Sequence, residues 1–248
     1  MAYRYDKDLE FLRNLSSEEL NDFVSILTHD KDNTTRFTEL ITVNELYKKF
    51  YPDHKQYLDL ILDEFQCFGG NTFANILRMG KGVLYKEILC DVADKLKVNY
   101  NKNSDTETIE INLFMKILEN SLDQMSKEQI KEISQELNLN LSTFTKQSTM
   151  AAMQFLIKQG GFKSYQLIVI VANAISKLIL GRGLSAVVNV SLTKAMSIFV
   201  GPIGWAITGM WTAIDIAGPA YRVTIPAVIQ IAYLRQSYNM KQNNQKLL

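Results

Sequence analysis

The chain has 248 residues, 47% of them hydrophobic and 21% charged, with a formal net charge of +1. That composition excludes wholesale disorder and a polytopic membrane protein, and the length suits one large domain or two small ones. The charge is divided: residues 1–146 hold 18 lysines and arginines against 25 acids, net −7, whereas residues 147–248 hold 9 against Asp215 alone, net +8. Such a division suits two parts that attract each other, or a basic end facing an acidic partner.

The N-terminal MAYRYDKDLE is charged from its fourth residue and lacks the apolar run of a secretory signal. Cys67 and Cys90, the two cysteines, are too few for a disulfide framework and have no histidine pair for zinc, so they read as ordinary thiols. A cytoplasmic, reducing origin is expected. Helix starts are predicted where a hydroxyl precedes Glu or Gln by three residues: Ser16 with Glu19, Thr42 with Glu45, Ser104 with Glu107 and Ser126 with Gln129. Leu58, Ile61, Leu62 and Phe65 form a single helical stripe that Gly69-Gly70 is expected to stop. Leu84, Ile88, Val92 and Leu96 make a second stripe, and Ile109, Leu113, Ile117 and Leu118 a third. No convincing two-residue alternation occurs before residue 140, so strands are not required.

From about residue 148 the character changes. Apolar segments of 15 to 17 residues alternate with glycine and proline breaks: SYQLIVIVANAISKLIL, LSAVVNVSLTKAMSIFV and YRVTIPAVIQIAYLR. Each is apolar round most of its circumference, which places it in a core or in a bilayer. Between the last two lies AMSIFVGPIGWAITGMWTAI, residues 195–214, with no ionisable side chain. Proline lacks the N–H and clashes with the preceding turn. A break at Gly201-Pro202 is therefore predicted, giving a hairpin over 184–217. Gly209, Ala213 and Ala217 repeat every four residues and would let another helix approach closely. Ile203, Trp205, Ile207, Trp211 and Ile214 are the expected membrane or client contacts, and Arg182, Lys194, Arg222 and Arg235 would reach lipid headgroups or an acidic partner.

The expectation is thus an all-α, multi-helix bundle: an acidic soluble domain over 1–145 and a basic apolar helical region over 146–248. The expected role is that of a non-enzymatic membrane-associating protein, an assembly factor or a membrane-active effector, whose partner would be membrane lipid or a hydrophobic protein client, with the protein cytoplasmic and peripheral to, or inserted in, the inner membrane. The alternative is a soluble chaperone-like or protein-binding module in which the same helices form the core. Oligomerisation is left open. Nucleic acid is not expected, because few aromatics are interleaved with the cations.

Catalytic chemistry finds no foothold. Asp30, Asp32 and Thr34 mimic the start of a calcium loop, but Thr35 stands where glycine is needed and Ile41 where glutamate is needed. RMGKGVLYKE lacks the first glycine of a phosphate loop, at Asn75, and Gly82 follows Lys81 in place of Ser or Thr. His29 and His54 suit surface or turn roles, and Asp63 and Glu64 a solvated face. No catalytic residue, cofactor or metal is assigned, and an enzyme is not expected.

Three stretches carry a family resemblance: DLEFLRNLSSEELNDFVSILTHDKDNTTRFTELI, FGGNTFANILRMGKGVLYKEILCDVADKLKV and GPAYRVTIPAVIQIAYLR. Together they span most of the chain and resemble the bacterial YaaW-like family, also described as ubiquinol-cytochrome c chaperone-like. The match is most specific at Phe68-Gly69-Gly70-Asn71, Gly80-Lys81-Gly82 and Tyr221 to Ala227. The resemblance implies a helical assembly factor handling a membrane-protein client, and it carries over no catalytic residues.

Overall fold

A computed structural model of the chain describes residues 3–30, 34–36, 40–70, 82–185, 193–214 and 221–245, without the side chains of 70, 193 and 210–214. Among the described residues ten α-helices follow one another: α1 (Ser17–Thr28), α2 (Glu45–Phe50), α3 (Leu58–Gly70), α4 (Tyr85–Lys95), α5 (Thr106–Asp123), α6 (Lys127–Glu136), α7 (Lys146–Gln159), α8 (Gly161–Leu180), α9 (Thr193–Ile214) and α10 (Tyr221–Gln245). Two 3₁₀ turns, Glu10–Asn14 and His54–Tyr57, precede α1 and α3. Among the described residues there is no sheet, only an isolated antiparallel bridge between His29 and Thr35. The fold is an all-α multi-helix bundle.

The caps show why the helices start where they do. Ser16 and Ser126 form reciprocal capping boxes with Glu19 and Gln129. The other two expected starts shift along the chain. Asn44, not Thr42, caps α2, and Asp105, not Ser104, caps α5 by accepting from the Thr108 N–H. In both places a side-chain carbonyl or carboxylate nearer the first turn takes the role, as Asn and Asp are good caps in their own right. Thr145 and Ser148 add a third box at α7. Between α7 and α8 the chain turns within Gly160–Gly161, at φ of 68° and 72°, a conformation that only glycine adopts without strain.

The hydrophobic core is one cluster, running from Leu9 to Leu234. At its centre lies α10, packed against α8, α1, α4, α3 and α5. Its residues from Val223 to Leu234 are all buried, which is what a helix apolar on every side requires. Pro226 sits inside this stretch. An interior proline costs about 3 kcal/mol. Burying Val223, Ile225, Val228, Ile229, Ile231 and Leu234 contributes about 1.5–3 kcal/mol each, so the helix survives its proline.

The same balance overturns the expected hairpin. α9 runs unbroken through Gly201–Pro202. Pro202 faces inward with Phe199, Ile203, Ala206 and Ile207, so packing on α8 and α5 offsets the lost hydrogen bond. Gly201 has open space where a Cβ would stand, so it is not a close-approach point. Residues 186–192 and 215–217 of the expected hairpin lie outside the described residues.

Candidate binding groove

A groove opens on the surface between α5 and α7. Lys146, at the start of α7, donates to the Asp123 carbonyl at the end of α5 (2.8 Å), so the two helices run antiparallel. Along α5 the residues Thr108, Ile111, Asn112, Met115, Lys116 and Glu119 recur at helical spacing, and along α7 so do Met150, Gln154, Ile157 and Lys158. With Lys97 and Asn99 they line a groove of about 590 Å³. Ile111, Met115 and Met150 are half-buried and Ile157 is buried, forming an apolar floor. Amides and cations stand on the rim.

The charge is unevenly placed. Lys116 is paired with Glu119 (2.9 Å). Lys97 and Lys158 also line the groove and have no carboxylate partner among the described residues. The periodicity of α5 marks its core stripe and leaves Ile111 and Met115 on the opposite side. Two apolar residues on the polar side of an amphipathic helix were the available signal for this groove.

The residues expected from the sequence to make contacts are dispersed. Ile203 and Ile207 are core residues, 0% and 1% exposed, because they face α8 and α5. Trp205 points outward and is 72% exposed. Gly209 is exposed, with open space among the described residues where a Cβ would stand. Trp211, Ala213 and Ile214 belong to α9 with side chains outside the description, and Ala217 lies outside the described residues.

The cations expected at lipid headgroups mostly turn inward. Arg182 reaches Asp22 of α1 (2.6 Å), whose second oxygen accepts from the Ser185 N–H (2.7 Å). Lys194 bonds Glu136 and Glu132 of α6 (2.8 and 3.3 Å). Arg235 forks onto Glu110 of α5 (2.9 and 3.1 Å), donates to the Asp8 carbonyl (2.7 Å) and lies 4.4 Å from the Phe11 ring centre. The Tyr85 hydroxyl donates to the same carboxylate (2.6 Å). Burial pushes Glu110 up from the ordinary glutamate range, and the Arg235 charge and Tyr85 hydroxyl oppose that push. Lys241 pairs with Glu19 (2.8 Å). Arg222 is exposed, on the first turn of α10.

Two polar residues also differ from expectation. His54 is buried, its ring bonded to the Tyr57 hydroxyl (2.6 Å) and Asn21 (3.3 Å), because the 3₁₀ turn folds it against α1. Glu64 is buried and accepts from the Leu40 N–H (3.3 Å), so it is not on a solvated face. Asp30 accepts from Thr34 N–H and hydroxyl (3.2 and 2.7 Å), the contacts of a turn. Cys67 and Cys90 are free thiols, and burial pushes Cys67 up to about 11. No group of three or more His, Cys, Asp or Glu able to hold a metal occurs among the described residues.

Comparison with known proteins places this architecture. Residues 3–37 match a domain of unknown function (DUF3944), and residues 53–229 match the family described as ubiquinol-cytochrome C chaperone. A UPF0174 protein of Helicobacter pylori is 52% identical over 249 residues, covering 100% of this chain and 98% of the relative. A second Helicobacter pylori UPF0174 protein is 46% identical over 203 residues, covering 80% and 96%. The UPF0174 protein YaaW of Escherichia coli is 34% identical over 245 residues, covering 97% and 98%. No solved structure matches. With full-length similarity to these bacterial proteins, and residues 53–229 within the match to the ubiquinol-cytochrome C chaperone family, the chain belongs to the UPF0174 (YaaW) family.

Proposed function

We propose that the protein is a non-catalytic, chaperone-like module of the bacterial cytoplasm that holds other polypeptides, with its C-terminal apolar helices serving as its own core. The observation that carries this reading is the enclosure of Val223–Leu234 on every side by other helices. Arg182, Lys194, Arg235 and Lys241 are likewise committed to acids of the first part of the chain. A chain arranged this way meets much of its apolar and part of its basic C-terminal character internally. The family description, chaperone, supports a polypeptide as the partner.

A second reading, peripheral contact with a membrane, draws on one feature. Trp205 stands on an outward face of α9 with Ser197, Gly201 and Thr208, and Lys194 lies toward the start of the same face. Tryptophan is favoured at lipid interfaces. Helix α8 is long and apolar enough to cross a membrane, with mean hydropathy 1.3, yet 67% of that window is buried.

One preparation tests both readings. Purified without detergent, the full chain is expected to be monodisperse and to suppress light scattering from insulin reduced with dithiothreitol. It is not expected to float with phosphatidylglycerol vesicles at low salt. Failure to suppress aggregation overturns the chaperone reading, and flotation abolished by Trp205→Glu establishes the membrane reading in its place.

A further inference from the structure

We infer that α9 is a displaceable strap: it covers an apolar seat on α8 and α5, and the seat, once uncovered, holds an uncharged apolar helix of another polypeptide. The inference rests on the chaperone reading and names where the client sits.

A holding protein needs apolar surface to offer, and here the run Val223–Leu234 is enclosed. The surface then comes from an element that opens on its own, well below the cost of global unfolding. Packing singles out α9. It lies on α8, α5 and α6, and it is not among the helices arranged round α10. Its inner side carries three large anchors, Phe199, Ile203 and Ile207. On its outer side Ser197, Gly201, Trp205, Thr208 and Gly209 are exposed, and nothing described packs within 4 Å of a Cβ built on Gly201, Gly204 or Gly209. One side of the helix is therefore unsupported.

Gly201, Pro202, Gly204 and Gly209 put the two poorest helix formers at four positions within nine residues. Left alone, such a segment has little helical preference, so α9 keeps its form through its seat. By contrast, α10 holds one proline and no glycine from Tyr221 to Gln245. Lys194 is the single ionisable residue of α9, and it reaches Glu136 and Glu132 of α6 (2.8 and 3.3 Å). All three side chains are partly exposed, so this clasp is weak. The chain on either side is fastened without α9: Arg182 and the Ser185 N–H to Asp22 of α1, and the Tyr221 ring beneath the Lys95 ammonium of α4. Departure of α9 leaves those fastenings in place.

The seat defines what replaces the strap. It holds a helix of 22 residues, about 33 Å long, whose one charge stands at the clasp. α9 meets it with Phe199, Ile203 and Ile207, one large apolar side chain every fourth residue. The occupant it selects is therefore a helix with apolar anchors at i, i+4 and i+8. A charge among those anchors would be stripped of water on binding.

The test fastens the strap. Lys194→Cys with Glu136→Cys, in a full-length chain carrying Cys67→Ala and Cys90→Ala, is bridged by a short bis-maleimide. The same chain capped with N-ethylmaleimide is the unfastened control. A labelled peptide of about 18 residues, with leucine at i, i+4 and i+8 among alanine, serine and glutamine, serves as the client. Fluorescence anisotropy is expected to show saturable binding to the capped chain, with the bridged chain about tenfold weaker or worse. Replacing the central leucine with glutamate should weaken the peptide about tenfold or more. In hydrogen exchange of the original chain, amides of Thr193–Gly209 should exchange about tenfold faster or more than those of Val223–Leu234. Lys194→Glu sets a third carboxylate beside Glu132 and Glu136, and it should speed α9 further while Val223–Leu234 stays unchanged. That variant keeps both native cysteines, so exchange still decides the matter should the bridged chain misfold. Equal peptide binding by the bridged and capped chains overturns the seat, as does indifference to the glutamate. Equal exchange of α9 and Val223–Leu234, or the two speeding up in step in Lys194→Glu, overturns the strap by making α9 part of the global core. Flotation of Lys194→Glu with phosphatidylglycerol vesicles overturns the polypeptide assignment and makes a bilayer the occupant. Should the bridged chain refuse the peptide yet protect insulin as well as the capped chain, the client seat falls and the chaperone reading stands.

Discussion

Replacing Arg235 with methionine isolates the largest electrostatic commitment in the core. Arg235→Met keeps the length of the aliphatic stem and removes the fork onto Glu110, the bond to the Asp8 carbonyl and the cation over Phe11. Glu110 is 1% exposed, so its carboxylate is left buried with the Tyr85 hydroxyl as its remaining donor. Removing one partner of a buried ion pair costs about 3–5 kcal/mol. That is a large share of the roughly 5–15 kcal/mol by which proteins are stable. Urea unfolding followed by far-ultraviolet circular dichroism at pH 7 should therefore show a much lower midpoint. Adding Glu110→Gln should recover about half of the loss or more, because an amide carries no charge to desolvate. The deficit should also depend on pH. Burial raises the Glu110 proton affinity in the folded state, and losing Arg235 raises it further. The folded form then binds the proton more tightly than the unfolded form. Stability of the variant accordingly falls as pH rises through the folded value, and its deficit shrinks on acidification toward the ordinary glutamate range. A cost below about 1 kcal/mol, or a deficit flat with pH, would refute the reasoning that an uncompensated charge is responsible.

Two further perturbations test packing and capping. A Cβ at Gly69 would overlap the Ile88 side chain, so Gly69→Ala should destabilise the chain by about 1–3 kcal/mol in thermal melts, with part recovered by adding Ile88→Val. Ser126→Ala removes half of a capping box and should cost about 1 kcal/mol, whereas Ser104→Ala should change stability by less than about 0.5 kcal/mol because Asp105 is the cap.

The helical class was legible because apolar spacing and capping pairs are local. The stripes at Leu58–Phe65, Leu84–Leu96 and Ile109–Leu118 fall on α3, α4 and α5, with Leu84 and Leu96 as the flanking caps of α4. What failed depends on contacts between distant residues. Proline propensity alone predicts a break at Gly201–Pro202, and the inward faces of α9 that offset it become visible only once α8 and α5 are in place. Charge asymmetry suggested an outside acidic partner as readily as an internal one. The pairs Arg182–Asp22 and Arg235–Glu110 join residues 160 and 125 positions apart, beyond the reach of any local pattern. The groove is faint in the sequence for a related reason: its floor comes from two helices, each supplying only two of its apolar residues.

The position of Val223–Leu234 has a consequence for synthesis. The rod around which α1, α3, α4, α5 and α8 are arranged leaves the ribosome after every one of them. At 5–20 residues per second, the earlier helices wait roughly ten seconds or more, counted from the emergence of α1, with inner faces that have nothing to close upon. A nascent chain of this kind spends that interval as an aggregation-prone client in its own right, and interruption ahead of α10 would leave it there.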